Sequence, residues 1–159
     1  MILRNNQAED LSYSTMIFCN PNACFYEYLP YQTEWVDYYH NLGVNLVIWN
    51  YRCYGRSGGQ IISPTNIMKD GEKVFQYVKS NLANGKIGIH GESLGGCVAS
   101  YIASKCNVEF VFSDRTFSSL TSVVNWGFGG RFTRFFFAFF TGWSEECWKF
   151  FYQINKQQG

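Results

Sequence analysis

A short apolar run, Lys86-Ile87-Gly88-Ile89-His90, leads into Gly91-Glu92-Ser93-Leu94-Gly95-Gly96, and the chain leaves as Cys97-Val98-Ala99-Ser100-Tyr101-Ile102-Ala103. Strand, Gly-x-Ser-x-Gly, helix is the order that forces a serine into a tight strand-to-helix turn and lifts its hydroxyl clear of a sheet. Gly91 and Gly95 are needed there because a Cβ at either position would collide across so sharp a bend. The bare pattern arises by chance in about one chain of this length in twenty. Its weight comes from the strand before it and the small-residue helix after it. Ser93 is predicted to be a built nucleophile position.

The rest of the chain reads as alternating strands and helices. Ser14 to Cys19 is a buried strand ended by the turn former Asn20-Pro21-Asn22. One helix is expected next, with Tyr28, Tyr31, Trp35, Tyr39 and Leu42 on a common stripe and Gly43 as its stop. Val44 to Trp49 is a second strand, apolar as expected where both faces are covered. Beyond a Gly-rich loop to Gly59, Ser63 should cap a helix with Pro64 in its first turn. Ile67, Gly71, Val74, Phe75, Val78 and Leu82 keep helical spacing along it. Asn84-Gly85 turns the chain into the strand before Ser93, and Val108 to Phe112 is the last predicted strand. This alternation implies βαβ units, hence an α/β fold: a mainly parallel sheet of four strands with helices on both faces.

At 159 residues the chain suffices for one hydrophobic core and not for two, so a single domain over 1–159 is expected. A formal charge of +1 leaves no electrostatic footprint for nucleic acid. Cys19, Cys24, Cys53, Cys97, Cys106 and Cys147 form no C-x-x-C pair and no zinc spacing, and no metal site is predicted. Cys53 and Cys97 suit reduced thiols used as small residues. The opening residues turn polar at once, unlike a signal peptide. An intracellular setting is expected, cytoplasmic or membrane-peripheral.

His90-Gly91-Glu92-Ser93-Leu94-Gly95-Gly96 resembles the nucleophile elbow of the α/β-hydrolases. Upstream, Asn50-Tyr51-Arg52-Cys53-Tyr54-Gly55-Arg56-Ser57-Gly58-Gly59 resembles the D-Y-R-G-Y-G-R-S-x-G loop of serine hydrolases grouped with the S33-type peptidases; Asn50 and Cys53 depart from it. Asn20-Pro21-Asn22-Ala23-Cys24 stands where such proteins carry H-G-N-A-G. The resemblance covers roughly residues 14 to 120. It implies an α/β-hydrolase domain truncated at its C-terminus. The activity it implies is hydrolysis of an ester, thioester or amide through a seryl acyl-enzyme, on a small-molecule or acyl substrate. Neither an organic cofactor nor an obligate protein partner is implied.

Serine needs a histidine to take its proton and an acid to orient that histidine, and in α/β-hydrolases they follow in the order Ser, acid, His. The chain has two histidines, His40 and His90, and none after Ser93. His90 should sit within the sheet below the turn as a packed residue, and His40 near a helix end. Asp114, following the last strand, is a candidate acid; helix capping or pairing with Arg115 is its alternative role. Glu92 occupies the variable position of the elbow, with no base role. For the oxyanion, one donor should be the amide of Leu94, at the positive end of the following helix. The second should be Asn22, with Ala23 next; Pro21 has no N–H to give. Two explanations of the missing histidine stand side by side. One is a serine hydrolase cut before its last strands; the other is a non-catalytic binding module, in one form membrane-associated.

Between Trp126 and Trp143 the composition changes: seven of the fifteen phenylalanines fall within Phe128 to Phe140. Arg131 and Arg134 interrupt the run, which argues against a membrane span of about 20 apolar residues. Residues 126–143 are expected to be an aromatic cap or lid over the active-site mouth. The alternative is that Phe128 to Phe140 lie on a membrane surface.

Overall fold

The computed structural model describes residues 2–3, 14–60, 63–119, 121–123 and 147–158. The expected cap at 126–143, with Phe128 to Phe140, lies outside them. Strands β1 (Ile2–Leu3), β2 (Thr15–Cys19), β3 (Asn45–Ile48), β4 (Ile87–Glu92) and β5 (Phe110–Asp114) form one sheet in the order β1-β3-β2-β4-β5. The four longer strands are parallel to their neighbours, as predicted; β1 adds an antiparallel edge that the sequence reading did not foresee.

Helices cover both faces because successive strand residues point to opposite sides. Met16, Phe18, Leu46 and Ile48 meet Leu29 of α1 (Leu29–Gln32) and Val36 and Tyr39 of α2 (Trp35–Asn41). Ile17, Val47, Ile87 and Ile89 meet Ile67, Phe75 and Val78 of α3 (Pro64–Asn81) and Val98 and Ile102 of α4 (Leu94–Lys105). The predicted cap of α3 is present: the Asn66 side chain accepts the Ser63 amide at 2.9 Å, closing a capping box. Burying the second face demands close contact between α3 and α4. At Gly71 a Cβ would come 2.8 Å from Ile102 Cδ1.

Three expectations are corrected. The single helix through Tyr28 and Leu42 is two, because Thr33 takes an extended conformation and its hydroxyl accepts the Trp35 amide at 3.3 Å. Such local side-chain bonds compete with helix continuation. The buried positions are then Leu29, Val36 and Tyr39, while Tyr28, Tyr31 and Leu42 are exposed. The last strand runs two residues later than predicted, since pairing with β4 carries it from Gly88↔Phe110 to Glu92↔Asp114. Val111 packs on the α3/α4 side. Finally, Cys97 is not a free thiol. A further helix, α5 (Cys147–Gln158), packs along α4 and places Cys147 in a disulfide with Cys97. A separation of 50 residues left no spacing signal for it.

Among the described residues, no helix is long and apolar enough to cross a membrane.

Candidate active site

Ser93 stands between the last residue of β4 and the first of α4 with φ 52° and ψ −113°. Non-glycine residues adopt such backbone angles only where their surroundings over-determine them. Here the determinants are visible. A Cβ on Gly91 would lie 2.6 Å from the Gly96 nitrogen, and one on Gly95 would lie 2.8 Å from the Asn20 carbonyl oxygen, with the Cys19 carbonyl closer still. The elbow therefore closes only with glycine at both positions. Its helix also presses directly on the chain leaving β2.

That contact brings the loop after β2 to the serine. Cys19 pairs with Gly91 in the sheet, so both strands release their loops at the same edge. Leu94, whose amide is the expected first oxyanion donor, is the first residue of α4 and has no acceptor within its own helix. Asn22 and Ala23 form an exposed turn closed by the Cys24 amide on the Pro21 carbonyl at 3.3 Å, with Ala23 at φ 59°. Cys24 is the thiol of this loop; burial, helped by the charge of Glu92, pushes it up to about 11, so it stays protonated at neutral pH.

His90 is where the sequence reading put it, locked in the sheet. It is fully buried, with Phe18, Trp35 and Phe112 rings at centroid distances of 4.8, 4.5 and 4.6 Å. Its Nδ1 is 3.0 Å from the Tyr39 hydroxyl, which burial keeps protonated, and among the described residues its Nε2 has no hydrogen-bond partner. Burial lowers the imidazole to about 4. It is therefore neutral at pH 7 and is held by its cage, not by Ser93. Among the described residues the Ser93 hydroxyl makes no hydrogen bond that would mark a base.

Asp114 ends β5 instead of following it, and it is paired with Arg115 at 2.8 Å. Arg115 bridges on to Glu92, also at 2.8 Å. The alternative of pairing with Arg115 is thus present; the charge of Asp114 also acts on His90, raising its pKa against the larger lowering by burial. Burial raises Glu92, and Arg115 offsets that in part. The Glu92–Arg115 pair lines a cleft of about 520 Å³ with Thr33, Glu34, Trp35 and Tyr38. Among the described residues no cluster of His, Cys, Asp or Glu is arranged to hold a metal ion.

Two features of the site had no sequence signal. The Ser93 amide donates to the Asp114 carbonyl, and the Thr116 hydroxyl donates to the Ser93 carbonyl. Both bonds join parts of the chain more than twenty residues apart, and only strand order brings them together.

No protein-family model matches the chain. It is 31% identical to an uncharacterized membrane protein of Saccharomyces cerevisiae, over 71% of this chain and 40% of that protein. It is 33% identical to an uncharacterized protein of Bacillus subtilis, over 54% of this chain and 30% of that protein. The chain thus spans less than half the length of these relatives. Among solved structures, an esterase of Pyrococcus furiosus superposes with a TM-score of 0.67 at 18% identity, over 90% of this chain and 57% of the esterase. An α/β serine hydrolase homologue from Coxiella burnetii gives 0.57 at 23% identity, over 71% and 54%. Strand order, the strained turn and these superpositions agree: the chain has an α/β-hydrolase fold.

Proposed function

We propose that the chain carries the nucleophile of a serine hydrolase acting on an ester, thioester or amide. The reading rests above all on the backbone of Ser93, φ 52° and ψ −113°. A strained turn of roughly 1–3 kcal/mol serves no purpose in a fold that only packs. In this reaction Ser93 Oγ bonds to the substrate carbonyl carbon while the amides of Leu94 and Asn22 hold the developing oxyanion. The leaving group's C–O, C–S or C–N bond then breaks, and the serine proton leaves with it by way of a general base. His90, caged by aromatic rings, is not proposed as that base. The base is proposed to belong to the portion of the fold that the relatives have and this chain does not span. Asp114 is retained as a candidate acid in the longer protein. The solved neighbours named as an esterase and a serine hydrolase homologue support this reaction class.

A second reading is a non-catalytic binding module. On that reading Ser93 has no histidine to take its proton, and the pocket binds without hydrolysis. A membrane-peripheral location rests on Phe128 to Phe140, and the yeast relative is described as a membrane protein.

Labelling with a fluorophosphonate tests the nucleophile assignment. Slow modification that disappears in Ser93→Ala, with p-nitrophenyl ester turnover near background, is expected of a serine without its base. Fast labelling lost in Ser93→Ala would place a base within this chain, and His90→Gln would then be the variant to examine. Labelling unaffected by Ser93→Ala overturns the nucleophile assignment.

A further inference from the structure

The Gly-rich loop after β3 has no role in the chemistry above, yet its side chains reach one neighbour repeatedly. Tyr51 donates its hydroxyl to the Asn20 carbonyl at 2.6 Å, and Asn20 Nδ2 returns a bond to the Trp49 carbonyl at 2.8 Å. The Tyr54 hydroxyl donates to Asn22 Oδ1 at 2.6 Å. Asn50 holds two points at once, accepting the Tyr26 amide at 2.7 Å and donating to Glu27 at 2.9 Å. Gly55, at φ 53°, lies against this last pair, where a Cβ would come 2.6 Å from Asn50 Nδ2. The loop is itself anchored from behind: Arg52 forks onto Asp70 of α3, with Nη2 to Oδ1 at 2.6 Å.

Residues 20–27 are thereby tied along their length to residues 49–55. The tied segment is the one that Gly95 presses against at Asn20, beside the Leu94 amide. Asn22 needs such ties more than an ordinary loop residue does. It lies in an exposed turn whose following residue, Ala23, has a left-handed backbone, a conformation unfavourable for alanine. Left alone, that turn has easier alternatives, and an oxyanion donor is effective only when its direction is set in advance.

We propose that Tyr54, Asn50 and Tyr51 are positioning residues that clamp the 20–27 loop and aim the Asn22 amide at the oxyanion. The inference rests on the Ser93 reading above and extends it to residues that touch no substrate. It also assigns Asn50, where the resembling loops carry Asp, a double hydrogen-bonding role. An aspartate there keeps the acceptor for Tyr26 but sets a second carboxylate against Glu27.

Two measurements on the 159-residue chain test it, each comparing wild type with Tyr54→Phe, which removes one hydroxyl and keeps the ring. Amide hydrogen exchange reads the clamp directly. Peptides covering 20–27 should exchange faster in Tyr54→Phe while those of β4 and α4 stay unchanged; unchanged exchange in 20–27 overturns the clamp. Binding of phenylboronic acid reads the aim. Its boron bonds to Ser93 Oγ, the serine proton passes to solvent, and ¹¹B NMR reports the tetrahedral adduct. Tyr54→Phe should weaken that adduct about fivefold, the scale of one lost hydrogen bond. Faster exchange with undiminished adduct affinity overturns the positioning role. An adduct that persists in Ser93→Ala, or none in wild type, overturns the Ser93 reading instead, and exchange alone then decides the clamp.

Discussion

The amide of Ser93 donates to the carbonyl of Asp114 across 2.9 Å, and the Thr116 hydroxyl returns a bond to the Ser93 carbonyl at 2.7 Å. The strained turn is therefore held from the end of β5, by the backbone of Asp114, the candidate acid, and by Thr116 two residues on. Thr116→Val keeps the shape and removes the bond. It should cost about 1 kcal/mol, seen as a melting temperature lower by about 3 °C, and Thr116→Ser should recover most of it. Equal melting of Thr116→Val and wild type would mean that the bond contributes nothing.

Gly95→Ala should be far more severe. The new methyl would press on the carbonyls of Cys19 and Asn20, which are backbone atoms of a buried strand end and cannot move aside. A loss of about 3 kcal/mol is expected, or failure to fold. Gly58→Ala is the control, since nothing lies within 4 Å of the position; it should stay within about 0.5 kcal/mol of wild type in urea denaturation.

Stability should depend on pH through His90. Its folded value, lowered to about 4 by burial, is below the ordinary 6.5. Between these values the unfolded chain binds a proton that the folded chain does not, so acid favours unfolding. The stability is fully present above about pH 6.5 and is lost as pH falls toward 4, by a few kcal/mol in all. Denaturation midpoints at pH 7.5 and 5 measure it. His90→Phe should flatten that difference; an unchanged slope in His90→Phe would remove His90 as the cause.

The Cys97–Cys147 disulfide ties α5 to the elbow helix across a separation of 50 residues. Reduction, or Cys147→Ser, should lower stability by about 4 kcal/mol by freeing the unfolded chain. Mass spectrometry after alkylation without reductant should leave both cysteines unmodified. Alkylation of Cys97 in the native, unreduced protein would show that the bond is not formed.

The outer edge of β5 has no strand partner among the described residues, and Phe110 and Phe112 are 51% and 42% exposed. They border an apolar groove of about 380 Å³ with Trp35, Tyr38 and Leu42. A bare strand edge beside exposed aromatic surface promotes association. The isolated 159-residue chain should elute above its monomer mass in size-exclusion chromatography with light scattering. Phe112→Lys should shift it toward monomer. A wild-type chain that is already monomeric across concentrations would show that the edge is protected.

Much of this protein was legible in its residues because the signals were local. The elbow announces itself because the glycines, the serine and the small-residue helix sit within a dozen positions, and each is required by sterics that act between near neighbours. The strands β2, β3 and β4 and the capped helix α3 follow likewise from apolar runs and turn residues. The confinement of His90 also followed from its place in the strand before Ser93. What the sequence could not decide involved partners distant along the chain. Thr33 divides the expected helix because its hydroxyl takes the Trp35 amide, a choice that depends on Leu29 and Tyr39 both finding the sheet. The bounds of β5 follow its pairing with β4, and Cys97 meets Cys147 only because α5 lies along α4. The ties from Tyr51, Tyr54 and Asn50 to residues 20–27 have no periodicity to read. They exist because parallel strand order sets the loops after β2 and β3 side by side at one edge of the sheet.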